Sequence, residues 1–566
     1  MNVSVKKDTF ERRIPMKKLL ALILVLLMAA AVLPAQAESL PADDLTQPRS
    51  MTAFLQMDDY QYFGTKDESP VMQYLMNKFN FSIEFMQPPV GSEAEGFNNM
   101  LGSGVYTDLM EITYSSQLPS VLYADGVIMD LAPYLETYMP NYYAFLHDPA
   151  NEEVYKAMYD SEGHCFTITT EARDDTPNPT WGGMVYRRDI LETMTGGNIA
   201  FPSGNDEPMT VADWEYMLEL MKTYFDATGM NETAPLILPY QGFFVTGELV
   251  AGFGCAGNWQ VVDGKVGYGP TTPEFYNYLC KMREWYEKGY IYQDFASRVN
   301  DLFYQPNMAL TYGGAAGTFF GGYWQLADKM SMPEYGLNMD IRAASAPVDT
   351  ENGLETAFPS LTLMASSGVT NHTGAWSVSS TCSKENMIRF MTWADYLFSE
   401  EGAMIKTYGL TGDLAAADPL YQQLGLEKGT YWFDENGDFH QDPRILSNEI
   451  DPMGLSGNRL PGVNIKKYTY PQTEQSWLDA DKVWSRYGDA GDYPVSATGT
   501  AEEESQLADY YNTYTDYQNS MVVKFIMGTE ELTPESYNAY VEQMNKFGVE
   551  DSIRIKQEIY DRFMSF

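Results

Sequence analysis

The first folded segment of the sequence alternates between strand and helix patterns, and this alternation restricts the chain to an α/β fold. Apolar residues predict strands at residues 50–56 and 81–86. Between them, Ser69 and Pro70 mark a helix start, because serine can accept a hydrogen bond from the first turn and proline needs no N–H there. A further strand at 108–113 is followed by a polar loop and another helix. This order is typical of a sheet with helices packed beside it.

Capping residues mark three further helices. Thr210, Thr272 and Thr533 each precede apolar residues at helical spacing, and a glycine ends each of these segments. We expect their apolar faces to be core. In open α/β sheets a ligand crevice lies beyond the carboxyl ends of the strands, which favours residues 56–62 and 114–117 as ligand-contacting loops.

Residues 16–37 have the pattern of an export signal. Two lysines precede an apolar run, and an A-x-A cleavage site ends at Ala37. We expect translation to begin at Met16, cleavage of the signal peptide 1–37, and a flexible tether at 38–49. No cysteine follows Ala37 to carry a lipid anchor. The sequence therefore predicts an extracellular or cell-surface protein.

Length and charge restrict the architecture and the partners. Removal of residues 1–37 leaves about 529 residues, more than one hydrophobic core usually supports, so we expect at least two lobes. The formal net charge is −42, and it becomes about −46 without the four net positive charges of the signal peptide. Such a charge repels phosphate groups, and we expect no nucleic-acid or membrane-surface partner.

The sequence contains no motif of a familiar catalytic, cofactor or metal site. Its four histidines form no HExxH pattern, there is no GxSxG elbow, and the glycine-rich segment 313–317 lacks the lysine of a phosphate-binding loop. We therefore expect no catalytic residue, no metal and no cofactor. The acidic segment 434–438 is interpreted as a turn. A pair of carboxylates, as in glycosidases, has no specificity as a signal among 78 acidic residues.

The cysteines leave their pairing open. Cys165, Cys255, Cys280 and Cys382 are widely spaced and form no CxxC motif, so both disulfides and buried free thiols are compatible with the sequence.

Five sequence blocks, in order from about residue 50 to the C-terminus, resemble the large extracellular solute-binding proteins of carbohydrate ABC importers, in particular the long lipoprotein-type branch of Gram-positive bacteria. They are GMVYRRDILE at 183–192, TVADWEYML at 210–218, DGKVGYG at 263–269 with the following EFYNYLCKMREWYEKGYIYQDF, the segment 391–412 with YWFDENGDF, and KFIMGTEEL from residue 524.

This resemblance implies a two-lobed, periplasmic-binding-protein-like α/β fold of type II, with a hinge between the lobes and several crossovers. The expected lobes are 50–161 with 306–375, and 162–305 with 376–566. The resemblance also implies a monomeric, non-enzymatic receptor that captures a mono- or oligosaccharide by hinge closure and delivers it to ABC permease subunits. A secreted polysaccharide-degrading enzyme and a glycan sensor or adhesion module remain alternatives, and the solute could be a peptide or another polar molecule.

Sugar rings have apolar faces and hydroxyl edges, so their binding requires aromatic platforms beside polar groups. We take aromatic residues outside helical stripes as candidates, together with polar residues in the predicted loops. Each could instead serve core packing or a turn. The candidate ligand-binding residues are Trp181, Tyr312, Tyr323, Trp324, Trp259, Trp376, Asp58, Asp59, Ser115, Ser116 and Arg342.

Overall fold

The fold is built from fourteen described strands and twenty described helices. The structure is a computed structural model that describes residues 42–565 with gaps at 56–60, 90–91, 113–114, 116, 161, 173–178, 181, 231, 239–248, 298–307, 327–338, 361–374, 447–448, 470, 472 and 495. The strands are β1 (Arg49–Phe54), β2 (Phe81–Met86), β3 (Leu109–Glu111), β4 (Thr170–Ala172), β5 (Gly182–Arg187), β6 (Ala234–Leu236), β7 (Trp259–Val262), β8 (Lys265–Tyr268), β9 (Ala316–Gly322), β10 (Ile341–Ala343), β11 (Trp376–Val378), β12 (Tyr431–Phe433), β13 (Phe439–Gln441) and β14 (Gly462–Asn464).

The helices flank two four-stranded sheets. They are α1 (Pro70–Phe79), α2 (Glu93–Ser103), α3 (Pro119–Ala124), α4 (Ala132–Tyr138), α5 (Pro140–Leu146), α6 (Glu152–Met158), α7 (Arg188–Thr195), α8 (Val211–Thr228), α9 (Pro273–Glu287), α10 (Met308–Thr311), α11 (Lys384–Tyr396), α12 (Glu400–Tyr408), α13 (Gly412–Ala417), α14 (Pro419–Leu424), α15 (Pro443–Leu446), α16 (Pro452–Leu455), α17 (Gln475–Trp484), α18 (Ala501–Met527), α19 (Pro534–Lys546) and α20 (Val549–Ser565).

The first sheet has the strand order β2-β1-β3-β11. β1 is parallel to β2 and to β3, whereas β11 is antiparallel to β3. The predicted strand–helix–strand opening is confirmed, because Ser69 Oγ accepts the main-chain N–H of Met72 at 3.3 Å and Pro70 begins the helix between β1 and β2.

The second sheet has the strand order β10-β5-β9-β6. β5 lies antiparallel to both β9 and β10, and β6 lies parallel to β9. The predicted caps of α8, α9 and α19 are confirmed: Thr210, Thr272 and Thr533 each accept a main-chain N–H from the third residue after them. The predicted α/β class is therefore correct.

Two separate hydrophobic cores define two lobes. The first core takes its residues from 51–168 and 375–465, and the second takes them mainly from 184–344 and 480–549. Three segments connect the lobes, and in two of them β4 and β14 pair in parallel at the crossing. This division differs from the predicted lobe boundaries, because β9 pairs with β5 of the second sheet while residues 376–465 complete the first core.

The structure confirms the predicted turn and decides the open question of the cysteines. The segment 434–438 forms the turn between β12 and β13, where the main-chain N–H of Gly437 donates to the Asp434 carbonyl at 3.0 Å. All four cysteines are free thiols.

A buried arginine fixes the N-terminal segment to the first lobe. The Arg389 side chain is fully buried, and its guanidinium donates to both carboxylate oxygens of Asp43 at 2.6 and 3.0 Å. It also donates to the main-chain oxygens of Asp44, Gln47, Phe79 and Asn80. Residues 43–47 are therefore docked, in contrast to the flexible tether predicted for 38–49.

We predict that Asp43→Ala lowers the free energy of unfolding by about 3 kcal/mol, because removal of one partner leaves a buried arginine without its counter-charge. Urea denaturation followed by tryptophan fluorescence measures the change. Asp44→Ala is the matched control, since the Asp44 carboxylate caps only the neighbouring Thr46. Equal stabilities of the two variants would contradict the prediction.

Candidate functional site

The two sheets present their edges where the chain passes between the lobes. β1, β2 and β3 are parallel, so their carboxyl ends share one edge of the first sheet. β11 starts at this edge, because Trp376 pairs with Glu111 at the end of β3. In the second sheet, β5 begins after the crossing from β4, and its first residue, Gly182, pairs with Gly322 at the end of β9. By the rule that ligands bind beyond the carboxyl ends of the strands in open α/β sheets, we expect the crevice between the lobes at these two edges.

The register of β5 and β9 places two predicted residues at the start of β5. Tyr323 and Trp324 follow Gly322, which pairs with Gly182, so both positions lie at this edge of the second sheet. Gly183 allows α17 to approach this edge, because a Cβ atom there would overlap the ring of Trp484.

An aromatic pair covers the second-lobe edge. The Tyr323 and Trp477 rings are stacked with centroids 3.8 Å apart and planes inclined by 7°, and both side chains are half-buried. The Trp477 indole N–H donates to the Thr180 carbonyl at 2.8 Å, and Asp481 accepts the Thr180 N–H at 2.7 Å. These bonds fix the orientation of the Trp477 ring beside the start of β5. Half-buried, oriented rings are suited to the apolar face of a flat, uncharged solute.

Buried charged groups occupy the first-lobe edge. Glu111 is fully buried, and its carboxylate lies 3.9 Å from the guanidinium of Arg459, which is 10% exposed. Lys66 is also fully buried, and its main-chain N–H donates to the Gln87 side chain beyond the end of β2 at 2.8 Å. Charges at such depth are rare unless they are paired, and their concentration at a crevice is typical of functional sites.

The other predicted residues have different positions. Trp376 is fully buried against Phe85, Phe390 and Trp393, so its ring belongs to the first core in this conformation. Ser115 exchanges hydrogen bonds with the main chain of Gln117 in the loop after β3.

Three predicted residues of the second lobe lie away from the aromatic pair. Tyr312 precedes β9 and lies toward the end of this strand opposite Tyr323. Trp259 packs against Tyr268 in the β7–β8 hairpin, with the Lys556 ammonium 5.3 Å from its ring. Arg342 on β10 is 57% exposed and is paired with Asp340. Asp58, Asp59, Ser116, Trp181 and the side chain of Trp324 lie outside the described residues.

Sequence reasoning missed Trp477, Arg459 and Glu111. Trp477 and Trp484 are spaced at two helical turns in the segment that follows the last crossing, and this spacing resembles an ordinary core stripe. Arg459 lies within 451–462, a segment rich in glycine and asparagine whose composition indicates only a loop.

A second contact between the lobes, here called the seam, joins α6 to α20. The Lys156 ammonium lies 5.8 Å from the ring centroid of Phe563, and Tyr159, Asp160, Thr498 and Arg562 line a pocket beside it. α3 of the first lobe also packs against α18 of the second. The lobes therefore touch at a surface separate from the crossing strands.

Next to the seam, Asp160, Glu162 and His164 place their side-chain oxygen and nitrogen atoms within 4.8 Å of one another, a distance compatible with metal ligation. Asp160 also accepts the main-chain N–H groups of Glu162 and His164, which makes the cluster part of a turn. Burial lowers the pKa of His164, but its hydrogen bond to Asp160 and the nearby carboxylates outweigh burial, so the pKa is raised.

Comparison with solved structures identifies the fold. A human-milk-oligosaccharide-binding solute-binding protein from Bifidobacterium longum infantis superposes with a TM-score of 0.67 at 16% identity, covering 91% of this chain and 99% of the other. The alginate-binding protein AlgQ2 without calcium ion superposes with a TM-score of 0.66 at 15% sequence identity, covering 91% of this chain and 98% of the other. The substrate-binding protein FusA of Streptococcus pneumoniae, in complex with kestose, superposes with a TM-score of 0.64 at 17% sequence identity, covering 91% of this chain and 99% of the other. The chain thus has the two-lobed fold of solute-binding proteins.

Neither a protein-family model nor a curated protein matches the sequence. In the described part of the chain, no helix has both the length and the apolar character that crossing a bilayer requires.

We predict that Lys156→Ala and Phe563→Ala each shift the lobes toward larger separations. A cation–π contact at a solvated site contributes about 0.5–1 kcal/mol, which corresponds to a change of roughly two- to five-fold in the ratio of closed to open molecules. Single-molecule Förster resonance energy transfer (FRET) between dyes attached at the exposed positions 136 and 542 measures this ratio. Glu152→Gln is the control, since it removes the ion pair of Lys156 and retains the ring contact. An unchanged ratio in the Lys156→Ala/Phe563→Ala double variant would show that the seam does not hold the lobes.

Proposed function

We propose that this chain is the exported substrate-binding protein of a carbohydrate ABC importer. The observation that carries the proposal is a fold likeness over 91% of the chain to structures whose names state alginate, human-milk oligosaccharide or kestose as ligand. The proposed ligand is a mono- or oligosaccharide. It enters between the lobes and is held when they close.

The chemistry of the crevice supports a sugar ligand. A sugar ring has C–H faces, which pack against aromatic rings, and a belt of hydroxyl groups, which require hydrogen-bonding partners. In the proposed mode of binding, the rings of Tyr323 and Trp477 provide the platform in the second lobe. Trp181 and Trp324 extend this platform, and Asp58, Asp59 and Ser116 contribute polar groups from the first lobe.

The proposal includes export and a membrane partner. Residues 16–37 direct the chain across the membrane, and the receptor then acts outside the cell as a monomer. Lobe closure gives liganded and empty receptor different surfaces, and the permease subunits of the importer distinguish the two. The receptor itself catalyses no reaction, since the importer supplies the energy of transport.

We predict that a saccharide from a defined panel raises the melting temperature. The panel consists of kestose, lacto-N-tetraose, an alginate trisaccharide and a mannose pentasaccharide. A ligand present at a hundred times its dissociation constant adds about 2.7 kcal/mol to the stability of the native state. With an unfolding entropy of about 2.1 cal/mol/K per residue, this corresponds to a rise of roughly 2–3 °C for a chain of this length. Differential scanning fluorimetry detects the rise.

The same samples separate receptor from enzyme. After incubation, chromatography should recover each saccharide intact, whereas shorter products would establish a degrading enzyme. No stabilisation by any saccharide, together with stabilisation by a peptide or another polar solute, would overturn the carbohydrate assignment.

We predict that Trp477→Ala weakens binding of the stabilising saccharide about ten-fold, a loss of roughly 1.4 kcal/mol, because a stacked aromatic surface is removed. Trp181→Ala should also weaken binding while the fold stays intact. Isothermal titration calorimetry measures both. The matched control is Trp432→Ala, which removes a half-buried indole stacked on His440 in the first-lobe hairpin. If Trp477→Ala and Trp432→Ala bind equally well, the aromatic pair is not a ligand platform.

A further inference from the structure

Arg459 has a backbone conformation that its residue type does not favour. Three non-glycine residues of the described chain have positive φ angles: Asn80 at 50°, Asp263 at 51° and Arg459 at 61°. Asn80 ends α1 in a left-handed cap, and Asp263 lies with Gly264 in the two-residue turn between β7 and β8, so both have an ordinary reason. Arginine has no side-chain chemistry that favours this region. Such a residue persists only where its surroundings enforce the conformation, often at a functional site.

Hydrogen bonds hold the Arg459 loop to the first-lobe edge and to the crossing strands. The Arg459 carbonyl accepts the indole N–H of Trp376 at 2.7 Å. The next carbonyl, that of Leu460, accepts the hydroxyl of Thr170 in β4 at 2.9 Å. Gly462, the first residue of β14, donates its N–H to Thr169 at 3.1 Å. Four consecutive residues therefore connect the start of β11 with both strands of the crossing pair.

The Arg459 side chain contacts the crevice edge directly. The side chain is 10% exposed, and its guanidinium lies 3.9 Å from the carboxylate of Glu111, the last residue of β3. Buried ion pairs are weak devices for stability, since well-packed apolar residues of similar volume often serve a fold equally well or better. The combination of a buried ion pair with an unfavourable backbone conformation is better explained if the fold requires the Arg459 side chain at this place.

We propose that Arg459 is a positioning residue that couples the crevice edge of the first lobe to the crossing strands and so sets the resting separation of the lobes. A displacement of Glu111 or Trp376 is transmitted through Arg459 to β14, and from β14 to β4. The inference rests on the proposed function only in that lobe closure serves to hold a solute. Its test requires no solute.

The experiment compares relief of backbone strain at two positive-φ positions. Arg459→Gly and Asp263→Gly both introduce a residue that tolerates the conformation, but only the first removes a side chain that faces the crevice edge, the guanidinium beside Glu111. The main-chain bond from Trp376 to residue 459 is retained. Dyes at Glu136 and Glu542 report the ratio of closed to open molecules in the absence of any saccharide. We expect Arg459→Gly to change this ratio at least three-fold and Asp263→Gly to leave it unchanged.

Glu111→Gln keeps the inference testable if Arg459→Gly does not fold. The substitution preserves side-chain shape and removes the charge that faces Arg459, and it should change the same ratio in the same direction. The proposal would be overturned if a folded variant, Arg459→Gly or Glu111→Gln, had the same ratio of closed to open molecules as the unmodified protein. Failure of every saccharide to stabilise the protein would instead contradict the proposed function and leave the lobe measurement interpretable.

Discussion

The first sheet is completed by a strand that the chain provides only after it has built most of the second lobe. β11 pairs with β3, and Trp376 at its start also exchanges two main-chain hydrogen bonds with Ile168. Residues 376–465 then fill the first core. Neither lobe is therefore continuous in sequence. The segments that cross between the lobes therefore lead directly into the residues that complete the first core.

The acidity of the chain makes its buried cations informative. With 36 basic against 78 acidic residues, most basic groups can find a carboxylate at the surface. Arg389, Arg459 and Lys66 instead lie in the interior of the first lobe, where burial of a charge is unfavourable unless hydrogen bonds compensate. Arg389 fastens the N-terminal segment, whereas Arg459 and Lys66 lie at the crevice edge. Lys406, which is also buried in the first lobe, donates to the Asn464 side chain of β14 at 2.9 Å, so burial alone does not mark a cation as functional.

The features that could be predicted from the sequence are those fixed by local interactions. Ser69 and Thr210 cap their helices through bonds to residues three positions away, so a short sequence pattern contains all the necessary information. Lobe membership after residue 305 depends on pairing between distant strands. β9 and β11 are both fully buried, and nothing in their composition distinguishes which sheet each joins. The predicted boundaries failed for this reason.

The same limit applies to the site. The restriction to aromatic residues outside helical stripes selected Trp376, which is core, and excluded Trp477, whose helix borders the crevice. Tyr323 and Trp324 lie beside the start of β5 only because β5 and β9 are antiparallel with Gly182 opposite Gly322. Antiparallel pairing places the start of one strand beside the end of another, and no pattern within either segment specifies that pairing.

On the proposed function, the division of the crevice between the lobes has an energetic consequence. A shift from mostly open to mostly closed molecules, from 1:99 to 99:1, requires a ligand that binds the closed state about 5.5 kcal/mol more tightly. Stacking on an aromatic ring contributes about 0.5–1.5 kcal/mol, so the Tyr323–Trp477 pair is insufficient alone. These rings also belong to one lobe and would bind open and closed molecules alike, which shifts no equilibrium. The preference for closure must therefore come from first-lobe groups that reach the solute only when the lobes meet.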